Sequence, residues 1–191
     1  MATQSQRRAS TRTAILNAAE KLFRKNGFDQ TAVEDITSAA DVAKGTFYQH
    51  FETKLDVLLA MIRRHESATM AEVERALTAG HPPLDLGLEL LCGMARQFEK
   101  DRKMTAQAIA VAMAHPARLD EPSLRLTLAK ILAAAQQLGD IRNDADAYDL
   151  ALTLVGGMLP HIIVWVHQGK RGTLLTAIEN VWRVFLEGAR A

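Results

Sequence analysis

Residues 31–54 read TAVEDITSAADVAKGTFYQHFETK, and the parsing of that stretch decides the fold. Thr31, with Glu34 three positions on, predicts a capping box: the hydroxyl takes a free helix amide while the carboxylate reaches back. The helix it opens turns Val33, Ile36 and Ala40 inward and is very short. Asp41 marks the turn that follows, and Asp is among the few residues that tolerate a left-handed backbone. A third helix runs from about Val42 to Phe51. Ala43, Phe47 and Phe51 share one side of it, while Lys44, Thr46, Tyr48, Gln49 and His50 point away and all can hydrogen-bond. Apolar anchors behind and donors or acceptors in front suit a helix lying in a DNA major groove. A tight turn between a second and a third helix is the geometry that puts one there. Gly45 has no side chain, so a sugar-phosphate backbone or a neighbouring helix can come close. An ordinary amphipathic surface helix shows the same division, and on this pattern alone both readings stay open.

Working outward, helical periodicity continues in both directions and no stretch alternates like a strand. Upstream, Ile15, Ala19, Leu22 and Phe23 form one apolar stripe, stopped by Asn26-Gly27. Downstream, Thr53 and Asp56 look like a second capping pair. They open a long helix carrying Leu55, Leu59, Ile62, Val73 and Leu77. Pro82-Pro83 marks a connection. One helix then carries Leu84, Leu88, Leu91, Ala95 and Phe98, and another runs around Ala108 to Met113, closed by His115-Pro116. Pro122 suits the first turn of the next, which carries Leu124, Leu128, Ile131 and Ala135 and stops at Gly139. A nearly all-apolar helix follows Asn143 to Asp146. Thr173 caps the last, with Leu174, Ile178, Val181, Trp182 and Phe185. The expectation is an all-α protein of about nine helices. Residues 1–53 would form an arm and a three-helix head, and residues 54–191 a larger helical domain.

With 48% hydrophobic and 24% charged residues, the 191-residue chain has the balance of a globular protein rather than a disordered one. Its net charge of +1 gives no general attraction to polyanions, but the leading segment does. Up to Lys25, Arg7, Arg8, Arg12, Lys21, Arg24 and Lys25 are opposed only by Glu20, a local anion-binding surface or else a solvated face. Cys92 is the only cysteine, so no intrachain disulfide demands an oxidising compartment. The run from Leu150 to Val166 falls a little short of a membrane span and is broken by Gly156, Gly157, Pro160 and His161; a helix buried on most sides is expected, in a cytoplasmic protein. No Gly-rich phosphate loop, HExxH or nucleophile elbow is present, and the histidines are not paired at ligand spacing, so neither catalysis nor a cofactor is expected. A metal sensor remains open only through tertiary proximity, with Met158 and His161 as weak support.

Thr31, Ile36, Ala39-Ala40, Val42, Lys44-Gly45-Thr46-Phe47-Tyr48, Phe51 and Lys54 resemble, in order and spacing, the DNA-binding segment of TetR-family transcriptional regulators. Ile15, Ala19, Phe23 and Gly27-Phe28 are similar to the first helix of that family. The resemblance is strong over the first third of the chain; Gly139-Asp140-Ile141-Arg142 is the main echo beyond it. Asp41 stands where the family often has Gly. The resemblance implies a homodimeric regulator, more often a repressor than an activator, that binds a near-palindromic operator in double-stranded DNA. It implies that Thr31, Tyr48 and Lys54 contact phosphates and that Lys44 lies by the backbone or a base edge. Thr46, Gln49 and His50 would face the groove, with Gly45 permitting close approach.

In that family the last two helices form a four-helix bundle across a two-fold axis. Here Gly156-Gly157 would permit close approach, and Ile178, Trp182 and Phe185 would supply interface mass. Met94, Phe98, Met104, Met113, Met158, His161 and Trp165 are large, adaptable or aromatic, and favour an apolar or aromatic effector. Each is also an ordinary core residue. A helical dimer that binds a partner through a head no longer competent for DNA, and a ligand-dependent activator, are the alternatives.

Overall fold

A computed structural model describes residues 3–114, 124–168 and 172–190; His115, Pro116 and Pro122 lie outside them. Among the described residues there are nine helices and no strand, as expected. The first three are α1 (Gln4–Asn26), α2 (Val33–Ala39) and α3 (Lys44–His50), followed by the long α4 (Lys54–Thr78). Then come α5 (Pro83–Lys100), α6 (Arg102–Ala114), α7 (Leu124–Leu138), α8 (Ala147–Gln168) and α9 (Leu174–Ala189).

Apolar side chains gather into two clusters. The first joins Ile15, Leu16, Ala19 and Phe23 of α1 with Ile36 of α2, Phe47 and Phe51 at α3, and Val57, Leu58 and Ala60 of α4. The second joins α5, α7, α8 and α9 around Leu91, Ala95, Leu128, Ile131, Leu132, Leu154, Met158, Ile178 and Trp182, with Val73 of α4. α4 therefore belongs to both: its first two turns complete the small cluster and its far end meets α7. Its stripe read from the sequence, Leu55, Leu59 and Ile62, omits Val57 and Leu58, which turn towards the head.

Local chemistry accounts for most of the boundaries. Thr53 caps α4, accepting from the Asp56 amide while the Asp56 carboxylate accepts from the Thr53 amide. Thr173 caps α9 by accepting from the Thr176 amide, 3.1 Å away. Pro82 and Pro83 begin α5, where a missing N–H costs nothing. Asp41 has φ 54°, the one positive φ outside glycine among the described residues, and so makes the left-handed turn between α2 and α3.

Three details differ from the sequence expectation. The cap of α2 is not the Thr31–Glu34 box: Asp35 accepts from the Ala32 amide, and Thr31 donates its hydroxyl to the Gly27 carbonyl, 2.8 Å away. Ala43 is exposed at the N-cap of α3, so Val42 just before it supplies the inward contact. Finally, α8 is one-sided, not buried on most sides. Ala151, Leu154, Met158 and Ile162 pack inward, while Leu152, Gly156, Pro160 and Val164 are exposed. By length and composition α8 is also apolar enough to cross a membrane, which the shorter run read from the sequence was not.

Candidate nucleic-acid interface and coupling contacts

α3 is only seven residues long, too short to hold itself helical, and stays so because its back is fixed. Phe47 is fully buried, with the Phe51 ring 5.9 Å away and Tyr48 edge-on at 5.4 Å. The opposite face carries Lys44, Gly45, Tyr48 and Gln49, all exposed, with Thr46 half-buried beside them. A Cβ built on Gly45 meets nothing within 4 Å, so no neighbouring helix requires the glycine, and the open space is available to an approaching backbone. Lys44 is paired with Glu34 of α2 at 2.5 Å, both side chains well exposed. That hydrogen bond holds the Glu34 carboxyl below its usual range and raises the Lys44 ammonium. An exposed pair of this kind is weak and exchanges readily for a phosphate.

Three residues read as lying on this face are placed differently. Thr31 is 1% exposed, its hydroxyl turned to the Gly27 carbonyl. Lys54 points back into the loop between α1 and α2. Its ammonium donates to the carbonyls of Phe28 (2.5 Å), Thr31 (2.8 Å) and Asp29 (3.3 Å) and lies 4.4 Å from the centre of the Phe28 ring. Three carbonyls take its three donors, so this lysine holds a loop and does not face outward as a phosphate contact. His50 is half-buried and turned to the side of the helix, where burial first, then the charges of Arg8 and Arg12, push its pKa below the ordinary histidine value.

The same loop is held from the other direction. The Phe28 amide donates to Oε1 of Gln107 in the middle of α6, at 2.8 Å, and Met104 of α6 packs against the head cluster. At its start, α6 is tied to α8: Arg102 donates twice to the Val166 carbonyl, at 2.6 and 2.8 Å, with its guanidinium 5.7 Å from the Trp165 ring centre. One helix thus touches the head and the larger cluster. Nothing in the sequence marks Gln107 or Arg102, because their partners are backbone atoms of residues 79 and 64 positions away.

Of the seven pocket residues expected, Met94, Phe98, Met158 and Trp165 belong to the large cluster. Met104 belongs to the head cluster instead, Met113 is 60% exposed, and His161 is exposed. Two surface concavities lie elsewhere. One, of about 250 Å³, is bounded by Arg12, His50, Phe51, Asp56, Leu59, Ala60 and Arg63; the other, of about 410 Å³, lies between the α4–α5 turn and the end of α7. Among the described residues no group of three or more His, Cys, Asp or Glu is placed to hold a metal.

The residues expected at a dimer interface also divide. Ile178 and Trp182 are buried within their own chain, Trp182 so tightly that a Cβ on Gly87 of α5 would stand 2.5 Å from its ring. Phe185 is half-buried and stacks on Trp182. Gly156 and Gly157 are exposed, and so are the apolar Leu152 and Val164 of α8 and Val184 of α9.

A three-helix head with a left-handed turn before a two-faced third helix, set on a larger helical body, defines a helix-turn-helix DNA-binding protein. Residues 15–61 match the family model for bacterial regulatory proteins of the tetR family. The transcriptional regulator UidR of Escherichia coli K12 is 29% identical over 160 residues, spanning 80% of this chain and 81% of its own. The transcriptional repressor BepR of Brucella suis is 26% identical over 198 residues, spanning 96% and 93%. The TetR-family repressor FadR of Thermus thermophilus, solved with lauroyl-CoA, superposes with a TM-score of 0.78 at 26% identity, covering 93% of this chain and 94% of its own. Over residues 15–61 the chain carries a DNA-binding segment of the tetR type, and it is a ligand-responsive, DNA-binding transcriptional repressor similar to the TetR-family regulators.

Proposed function

We propose that the protein is a cytoplasmic homodimer that grips a near-palindromic operator with one α3 per half-site and lets go when an apolar or aromatic effector enters the body. The observation that carries this reading is the division of α3: Phe47 and Phe51 fixed behind, Lys44, Gly45, Tyr48 and Gln49 exposed in front. Gln49 is the base reader, since its amide pairs bidentately with adenine and discriminates by about 1–3 kcal/mol. Lys44 and Tyr48 hold phosphates, Gly45 allows close approach, and Thr46 sits at the groove edge. In this reading residues 1–53 bind DNA and residues 54–191 bind effector and partner copy, with the head's apolar cluster drawing on the first turns of α4.

The effector surface is Met94, Phe98, Met158 and Trp165, which bring bulk and pliability and no formal charge. The lauroyl-CoA bound by the Thermus FadR supports an acyl chain as one occupant. Coupling runs through α6. A shift of α8 at Val166 moves Arg102, and Gln107 carries the movement to the Phe28 amide and so to the loop that Lys54 braces. A coupling of about 1–3 kcal/mol is typical and would weaken operator binding some 5- to 150-fold. The test is selection of duplexes from a random pool by the purified protein, followed by titration of the selected duplex complex with long-chain acyl-CoAs and aromatic compounds. Enrichment of a palindrome and its release by an apolar compound are expected; enrichment with no release by any compound that binds would overturn the effector reading.

A further inference from the structure

α1 is longer than its core requires. It is helical from Gln4, yet nothing before Ile15 is buried and only Thr11 and Ala14 are half-covered, so the three turns of residues 4–14 add nothing to the core. Those turns carry Arg7, Arg8 and Arg12, all exposed, and no acidic residue precedes Glu20. A helix segment with no apolar face and one sign of charge gains nothing from packing on its own protein. It is suited to a polyanion.

Its position narrows the choice of polyanion. The Arg12 guanidinium lies 5.0 Å from the centre of the Phe51 ring, directly after the end of α3. From there a concavity of about 250 Å³ opens between α1, α3 and α4, with Arg12, His50 and Arg63 around it and Asp56 as its one acid. The Asp56 carboxylate is engaged at the start of α4, accepting from the Thr53 amide and hydroxyl. The space is large enough for a tetrahedral oxyanion, has cationic groups on two helices and an imidazole on the third, and adjoins the exposed face of α3.

We propose that this concavity seats a phosphate group between Arg12, His50 and Arg63, and that operator DNA supplies it from the backbone just outside the groove occupied by α3. The proposal rests on α3 being the DNA-reading helix. It adds α1 and the flank of α4 to the interface, and it makes affinity respond to pH. His50 faces Arg8 and Arg12 from α1 and Asp56 and Arg63 from α4, with Lys44 and Tyr48 on its own helix. Burial and the arginines lower the pKa of the His50 imidazole. A bound phosphate reverses that balance, so binding takes up a proton and strengthens as pH falls through the histidine range.

The test uses the full chain with a duplex selected from a random pool. Arg12→Gln and Arg63→Gln should still select the same sequence, each with a log–log salt dependence shallower by about 1.8, the contribution of one phosphate at each of the two heads. Arg183→Gln on α9, an equal loss of charge far from the head, should leave the slope unchanged. The His50 imidazole, followed by NMR, should titrate at higher pH when the duplex is bound, and His50→Gln should flatten the pH dependence of affinity. If inorganic phosphate alone moves His50 while the slopes stay at the wild-type value, the seat stands and its source is a free phosphate compound. If neither ligand moves His50 and both slopes match wild type, the seat is disproved. If the wild type selects no duplex at all, the DNA reading fails as well.

Discussion

A methyl group at Gly45 would meet open space on an exposed helix, which separates two effects that usually travel together. Gly45→Ala should stabilise the head by ~0.5–1 kcal/mol through the lost flexibility of glycine, read as a higher melting temperature, and should weaken operator binding because the methyl meets the sugar-phosphate backbone. Lys54 makes the converse case. Lys54→Met leaves the Phe28 and Thr31 carbonyls without their donor, at a cost of ~1–3 kcal/mol. It should lower stability while leaving the salt dependence of DNA binding unchanged, since this ammonium faces the loop; a shallower slope would return Lys54 to the phosphate backbone. Residue roles were legible in the sequence wherever local spacing fixes them, as for the Thr53–Asp56 cap, the buried Phe47 and the left-handed Asp41. They were not legible where a partner comes from far along the chain. A capping pattern at Thr31–Glu34 gives no hint that Thr31 is drawn inward by the Gly27 carbonyl, nor a basic residue at Lys54 that three loop carbonyls await it.

Among the elements, α6 has the most consequential contacts and the least distinctive sequence. Gln107→Leu keeps the size of the side chain and removes the acceptor for the Phe28 amide. Hydrogen exchange at Phe28 should quicken, and the effect of operator binding on exchange in α6 should shrink, while the fold and the selected duplex stay the same. Unchanged exchange in both places would mean the head and α6 communicate by another route. α9 offers a packing test. Gly87→Ala places a Cβ 2.5 Å from the Trp182 ring, and the indole has to move. Overpacking of this kind costs ~1–3 kcal/mol, seen as a loss of thermal stability in the body. Periodicity made every helix visible in the sequence but not always its phase. α8 is apolar nearly all round, so pattern alone could not tell the side that packs on α7 from the side left exposed. Trp182 and Ile178 look like interface residues until α5 is seen to lie against α9.

For the whole molecule, the proposed dimer places a second copy over the exposed apolar surface of α8 and α9. Leu152 is 45% exposed and Val184 59%, and the glycines at 156 and 157 bring no side chain between them. Leu152→Glu combined with Val184→Glu should give a monomer of unchanged helix content by sedimentation. Its operator affinity should collapse, since one head loses the gain from its pair. Recognition of DNA by the exposed face of α3 underlies these expectations. Its most direct test is selection from a random duplex pool by the wild-type protein and by Gln49→Ala, with nonspecific competitor present. The wild type should enrich one near-palindrome, and Gln49→Ala, which removes one reader from each half-site, should bind it at least ~30-fold less tightly, about 1–3 kcal/mol per half-site, with discrimination lost at one symmetric pair of positions. Enrichment of the same sequence, equally tightly, by both proteins would contradict it.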